Sequence, residues 1–231
     1  MAGGTWAVLV AAGRGDRLGG DRPKAFARLG ELPMLAEPLR RLDECEAVEA
    51  IVVVAPSGWE EPAILLAEEI GASKVSACVP GGDTRTASVR AGLAEVPPDA
   101  AVVLVHDAAR PLLPPDLVRR LLDALAEGFD GAVPGLPVAD TVKRVRDGVV
   151  LETPAREELV AVQTPQAFAA AAIRGAFEPS NNLLQATDCA SLVEAAGGRV
   201  AVVPGDERLA KVTTPADLER VAVWLAAESN K

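Results

Sequence analysis

Four short runs of the chain are apolar without interruption: Trp6–Ala11 (WAVLVA), Ala50–Ala55 (AIVVVA), Ala101–His106 (AVVLVH) and Gly131–Pro134. A strand with one face in water alternates apolar and polar side chains, so an unbroken run marks a strand covered on both faces. Amphipathic stretches at Met34–Leu42, Trp59–Ile70, Thr84–Glu95 and Pro115–Gly128 separate these runs and read as helices. Strand and helix in alternation predict an α/β chain: a mostly parallel twisted sheet with helices on both faces. At 231 residues the whole span 1–231 is expected to form a single domain. A composition of 49% hydrophobic and 24% charged residues excludes disorder as the main state.

The alternation changes near Leu136. Thr141–Arg146 and Val149–Thr153 have period-two patterning on either side of Asp147-Gly148, a strong hairpin signal. A lone hairpin is marginal in water, so this β-arm, at about 137–157, is expected to lie on something, a partner subunit being one candidate. Helices at Ala167–Phe177 and Asp188–Ala196, a strand at Val200–Pro204 and a helix from Pro215 complete the pattern. Thr214 is a candidate cap for that last helix, with Pro215 at its first position.

Charge and cysteine usage narrow the function classes. With 33 acidic and 23 basic residues the net charge is −10, which argues against a nucleic-acid groove but not against a small phosphorylated ligand. Cys45, Cys78 and Cys189 are odd in number and form no C-x-x-C pair, consistent with free thiols in a reducing compartment. With no signal-peptide pattern and no apolar run reaching the ~18 residues of a membrane span, a cytoplasmic protein without a membrane partner is expected.

The first strand runs into Ala11-Ala12-Gly13-Arg14-Gly15-Asp16-Arg17-Leu18-Gly19-Gly20, followed by Asp21-Arg22-Pro23-Lys24. A glycine-rich turn at the carboxyl end of a first parallel strand is where open α/β sheets bind nucleotides, because backbone N–H groups can reach phosphate oxygens that a Cβ would hold away. The dinucleotide fingerprint fails at Leu18, where glycine is required. A nicotinamide-dependent oxidoreductase would also need an acid closing the second strand, where Ala55-Pro56 stands. The P-loop fails as well, since Lys24 lies between Pro23 and Ala25. What remains is a phosphate-friendly loop with Arg14, Arg17 and Lys24 beside it.

Further motifs follow in order: Pro80-Gly81-Gly82-Asp83-Thr84-Arg85-Thr86-Ala87-Ser88-Val89, Val105-His106-Asp107-Ala108-Ala109-Arg110-Pro111, Asp140-Thr141-Val142-Lys143, Thr164-Pro165-Gln166, Thr187-Asp188 and Lys211-Val212-Thr213. Together with the first loop they resemble the 2-C-methyl-D-erythritol 4-phosphate cytidylyltransferase family, from the first strand to the last helix. The resemblance implies an enzyme that joins CTP to methylerythritol phosphate, releasing pyrophosphate. It also implies a Rossmann-like core, a divalent cation, usually Mg²⁺, and a homodimer whose protruding β-hairpin arm completes the partner's site. A sibling enzyme acting on another polyol phosphate, such as ribitol 5-phosphate, is the alternative.

Residue by residue, the resemblance implies that Arg17, Lys24 and Lys211 are catalytic phosphate-binding cations. It places Ala11, Ala12, Gly13 and Gly15 against the nucleotide, and Gly82, Asp83, Arg85 and Ser88 at or near the cytosine. Asp107 is the implied metal and ribose-side carboxylate. Asp107, Arg110, Thr141, Arg156, Thr164 and Lys211 are the implied second-substrate residues. His106, the only histidine, is expected to be structural, since the chemistry needs no proton carrier. Ala25 and Cys189 depart from the family pattern, which commonly has Gln and an acidic residue there.

Overall fold

The computed structural model describes residues 3–13, 15, 22–178 and 186–229. Its centre is an eight-stranded sheet. Strands β1 (Thr5–Val10), β4 (Ala50–Ala55), β5 (Val75–Pro80) and β6 (Val102–Asp107) are mutually parallel where they pair, and β2 (Arg28–Leu29) and β3 (Leu32–Pro33) form a separate small hairpin. Beyond β6 lie β11 (Gln166–Ala169), antiparallel to it, then β7 (Gly131–Pro137), with β12 (Val200–Pro204) parallel to β7. Strand β10 (Val160–Val162) continues the line of β11 along β7 after the break at residues 163–165.

The unbroken apolar runs are the buried strands they were expected to be. Alternate residues of one strand serve two cores: Ala7, Leu9, Ile51, Val53 and Leu104 face one layer, and Val8, Val52, Val54, Val103 and Val105 the other. The first layer holds α1 (Ala36–Glu44), α2 (Glu60–Glu69) and α4 (Leu117–Ala126), through Leu39, Leu42, Leu66, Leu117 and Leu121. The second holds α3 (Arg85–Ala94), α5 (Ala170–Ala176) and α6 (Cys189–Ala195), through Val89, Leu93, Ile173, Leu192 and Val193. Helix α7 (Pro215–Ser229) packs on Leu29, Met34 and Leu112 in a third, smaller cluster. Thr214 caps it: its hydroxyl accepts from the Asp217 N–H at 3.2 Å, and the Asp217 carboxylate accepts from the Thr214 N–H at 2.9 Å.

Besides the short strands β2, β3 and β10, which the patterning did not mark, three elements differ from the expectation. Strand β5 carries the mixed pattern VSACVP and ends in proline, as an edge strand can, and so lacks the unbroken signal of its neighbours. The helix expected from Ala167 begins at Ala170, because Gln166–Ala169 instead joins β6 and β7 in an antiparallel ladder. The hairpin is shorter than its patterning: β8 (Arg144–Arg146) and β9 (Val149–Glu152) pair around Asp147 and Gly148, at φ 51° and 78°. Two positive φ values in a two-residue loop are a type I′ turn, which matches the twist of the strands it joins. The pair forms its own two-stranded sheet, off the main one.

Phe168 is fully buried at the crossing of β11, β6 and β7, with its ring 2.7 Å from where a Cβ on Gly131 would stand. Phe168→Ala should cost ~3–5 kcal/mol, the usual range for an aromatic core truncation. Urea titration checks this, and a loss under about 1 kcal/mol would show that the sheet does not depend on this contact.

Candidate active site

The strand order turns at β1, with β4 and β5 leading away on one side and β6 on the other. Open α/β sheets place their ligand site at such a switch, outside the carboxyl ends of the strands. A cleft of ≈ 640 Å³ lies there, lined by Val10, Ala11, Ala12, Gly13 and Gly15 after β1 and by Asp107, Ala108 and Ala109 at the end of β6. Its other walls are Gly81–Arg85 with Ser88, Lys24 with Ala25 and Met34, Pro56 with Ser57, and Lys211 with Thr213.

Asp107 is the centre of its electrostatics. Although only 7% exposed, its carboxylate is doubly paired. Arg85 reaches one oxygen with Nε at 3.0 Å and Nη2 at 2.9 Å, and Lys211 Nζ holds the other at 2.7 Å. Burial alone would favour the neutral acid, but the Arg85 and Lys211 charges outweigh it and hold the carboxyl well below the usual range. The group is ionised at any physiological pH, and the trio carries a net charge of +1. Arg85 Nη1 also donates to Cys189 Sγ at 3.6 Å; burial pushes that thiol up to about 11, so the contact adds no second negative charge.

The segment leading into α3 is built around small residues and one hydroxyl. Ser88 Oγ accepts from the Gly82 N–H at 3.1 Å and lies 3.0 Å from the Thr84 carbonyl, to which it can donate. Thr84 caps the helix: its hydroxyl accepts from the Ala87 N–H at 3.0 Å. A Cβ on Gly81 would stand 2.2 Å from that of Ala12, so the two loops touch only because residue 81 has no side chain. Gly15 adopts φ +73°, and a Cβ there would stand 2.3 Å from Lys24 Cβ. Glycine lets the first loop close against the lysine.

Comparison with known proteins fixes the family. A profile of the 2-C-methyl-D-erythritol 4-phosphate cytidylyltransferase (IspD) family matches residues 5–227. Proteins of that name from Streptomyces coelicolor and Nocardia farcinica are 46% and 47% identical, over 96% and 94% of this chain and 85% and 91% of theirs. The chain belongs to this family. Among solved structures, the 4-diphosphocytidyl-2C-methyl-D-erythritol synthase from Anaerococcus prevotii is similar with a TM-score of 0.84 at 26% identity, covering 98% of this chain and 100% of that one. The cytidylyltransferase from Thermus thermophilus gives 0.76 at 33%, covering 95% and 98%.

Of the residues that the cytidylyltransferase resemblance singled out, the cleft brings together Ala11, Ala12, Gly13, Gly15, Lys24, Gly82, Asp83, Arg85, Ser88, Asp107 and Lys211. Arg17, with Arg14, lies outside the described residues. Arg110 stands beside the cleft, its Nη1 donating to the Leu209 carbonyl at 2.6 Å, while its Nε is buried with no partner among the described residues. Thr164 is buried, and its hydroxyl is turned towards His106 and the Asp107 N–H, both at 3.0 Å. Thr141 and Arg156 are exposed, next to the hairpin rather than in the cleft of the same chain; Arg156 Nη1 donates to the Ala139 carbonyl at 3.0 Å.

Sequence reasoning gave no role to Pro56, Ser57 and Thr213, which stand in the cleft wall. Their signal was position: each follows the carboxyl end of a strand or shares a motif with a lysine. It also gave no role to Gln163 and Gln166, buried amides on either side of Thr164-Pro165. Gln163 exchanges two bonds with Asp206, at 2.8 and 3.0 Å, and Gln166 joins Asp188 and the Cys189 N–H.

A carboxylate held below its unfolded value stabilises the native state above that unfolded value, about 3.9, and the contribution is lost as pH falls from there. Asp107→Asn should therefore be less stable than the wild type at pH 7. The gap should narrow as pH drops below about 4, because the unfolded wild-type chain then binds a proton that the folded carboxylate still refuses. Urea midpoints of both proteins across this range test the sign. A gap that widens in acid would mean that Asp107 is not the ionised partner of Arg85 and Lys211.

Proposed function

We propose that this protein transfers the cytidylyl group of CTP to 2-C-methyl-D-erythritol 4-phosphate, giving 4-diphosphocytidyl-2-C-methyl-D-erythritol and pyrophosphate, in the cleft at the ends of β1 and β6. The observation that carries this reading is the convergence of Lys24, Arg85 and Lys211 on a glycine-lined cleft with one buried, ionised carboxylate. A phosphate monoester has its second pKa near ~6, so the acceptor is mostly dianionic at neutral pH and needs no base. A phosphate oxygen of the acceptor attacks the α-phosphorus of CTP. The bond from that phosphorus to the β-bridging oxygen breaks, and pyrophosphate leaves with the electron pair. The obstacle is repulsion between two anions, so catalysis here is positioning and charge neutralisation.

Lys24 and Arg17 hold the triphosphate in this reading, and Lys211 joins them from the other wall. The N–H groups after β1 face the nucleotide, and Gly82, Asp83 and Ser88 face the cytosine edge. A carbonyl or carboxylate there, accepting from the exocyclic amine, distinguishes cytosine from uracil. Among the described residues no group of three His, Cys, Asp or Glu side chains could cage a metal by itself. The donor set fits a Mg²⁺ held mainly by phosphate oxygens, with Asp107 as its protein carboxylate and Asp83 on the same cleft. Bound there, the ion would neutralise triphosphate charge.

Arg110, with its buried Nε and a guanidinium whose charge burial opposes, suits an acceptor oxygen of the second substrate. The hairpin leaves Val145, Val149, Val150 and Leu151 more than half exposed, a surface a second copy of the chain would cover. In that homodimer Thr141 and Arg156 reach the partner's acceptor phosphate, which a guanidinium can grip bidentately. The cytoplasm is the place of action this reading favours; among the described residues no helix is long and apolar enough to cross a membrane.

Incubation with CTP, Mg²⁺ and each acceptor tests the assignment, with pyrophosphate release expected for methylerythritol phosphate. Release with ribitol 5-phosphate alone would move the enzyme to the alternative acceptor. Lys24→Ala should lower turnover by more than about tenfold with an unchanged circular dichroism spectrum; wild-type turnover would remove Lys24 from the mechanism. Sedimentation equilibrium should return twice the 23.9 kDa chain mass, and Val149→Glu with Leu151→Glu should return it once. A wild-type monomer would detach the hairpin from the site.

A further inference from the structure

His106 is fully buried directly before Asp107 and is the chain's only histidine. Its Nε2 lies 3.0 Å from the Arg110 carbonyl and its Nδ1 3.0 Å from Thr164 Oγ1. A carbonyl only accepts, so Nε2 carries a proton. The Asp107 N–H already donates to Thr164 Oγ1 at 3.0 Å, which leaves the threonine proton free to point at Nδ1. One self-consistent chain results: Asp107 N–H to Thr164 Oγ1, Thr164 O–H to His106 Nδ1, His106 Nε2–H to the Arg110 carbonyl. The imidazole is thus held at both ends, and this chain of donors and acceptors corresponds to the Nε2–H tautomer.

This chain sits under a turn that carries much of the site. The β6–β11 ladder ends at the Val105–Gln166 pair, and the Thr164 hydroxyl takes over where Pro165 interrupts the second strand. The Arg110 N–H donates to the Asp107 carbonyl at 2.9 Å, so residues 107–110 form a tight turn, and His106 ties its far end down. The Val212 N–H docks on the Ala109 carbonyl at 2.8 Å, and Arg110 holds the Leu209 carbonyl. The segment bearing Lys211 is thus fastened to the same four residues that present the Asp107 carboxylate.

We propose that His106 and Thr164 are positioning residues: the fixed imidazole and the hydroxyl together set the 107–110 turn, and through it the placement of Asp107, Arg110 and Lys211. The kinetic part of this proposal rests on the cytidylyl-transfer reading of the cleft. Neither side chain moves a proton in the reaction, and the Thr164 hydroxyl acts through Asp107 rather than by holding the acceptor.

Because there is one histidine, nitrogen-15 NMR of labelled protein reports this ring alone. At neutral pH the wild type should show the Nε2–H tautomer with Nδ1 accepting a hydrogen bond. Thr164→Val, which keeps the shape and removes the hydroxyl, should shift the Nδ1 resonance. It should also lower kcat by about tenfold while the KM values for CTP and acceptor change less than about threefold. Thr164→Ser should restore both the resonance and most of the turnover lost in the valine variant. A wild-type ring protonated at Nδ1 would overturn the proposal. So would a valine variant with unchanged kcat, or one whose loss falls on the acceptor KM alone, the mark of direct substrate contact. The NMR arm needs no substrate, so it separates a failure of this proposal from a failure of the functional reading.

Discussion

The site depends on one carboxylate that burial alone would keep neutral. Asp107 ends a strand whose every residue is buried, and it stays ionised because Arg85 and Lys211 meet it from opposite sides. Removing the carboxylate would leave two cations facing each other in a poorly solvated place, and removing either cation would leave the carboxylate held from one side only, so the three groups depend on one another. It also joins three distant parts of the sequence: the start of α3, the end of β6 and the segment before α7. The cleft has that shape because electrostatics ties those parts at its floor.

Around that floor the chain gives up side chains. Gly81 has none because Ala12 stands 2.2 Å from where its Cβ would be, and Gly15 has none because Lys24 does. Such glycines cost conformational entropy and add nothing to a core. The two cores on the faces of the sheet supply the stability that lets the ends of its strands be spent on backbone N–H groups and paired charges. Ser88 and Thr84 keep the second loop from collapsing by using hydroxyls where packing is absent.

Much of this was legible in the sequence, for a physical reason. Strands buried on both faces must be apolar throughout, so WAVLVA, AIVVVA and AVVLVH announce themselves. VSACVP at the sheet edge and Gln166–Ala169 beside a helix do not, because their pattern is set by neighbours that sequence alone does not place. Asp147-Gly148 was readable because two consecutive positive φ values restrict which residues can stand there. In the site, charged and glycine positions were readable from the motifs, whereas the orientation of Thr164 was not. A hydroxyl beside a motif proline can face a ligand or the interior, and only the positions of His106 and the Asp107 N–H decide.

The net charge of −10 and a cleft built for phosphates are compatible because they act on different length scales. At physiological salt, charges more than about 8 Å apart across solvent are largely screened, so dispersed surface acids scarcely oppose a ligand already inside the cleft. Within it, Lys24, Arg85 and Lys211 face a wall of small residues, where the lower dielectric strengthens each interaction. The acids that count, among the described residues, are therefore the two that line the cleft. Asp107 is neutralised by its own partners, and Asp83 is exposed, so it can turn to a base or a cation without first breaking an internal pair. A chain can in this way carry an acidic surface and still present a net positive pocket to an anion.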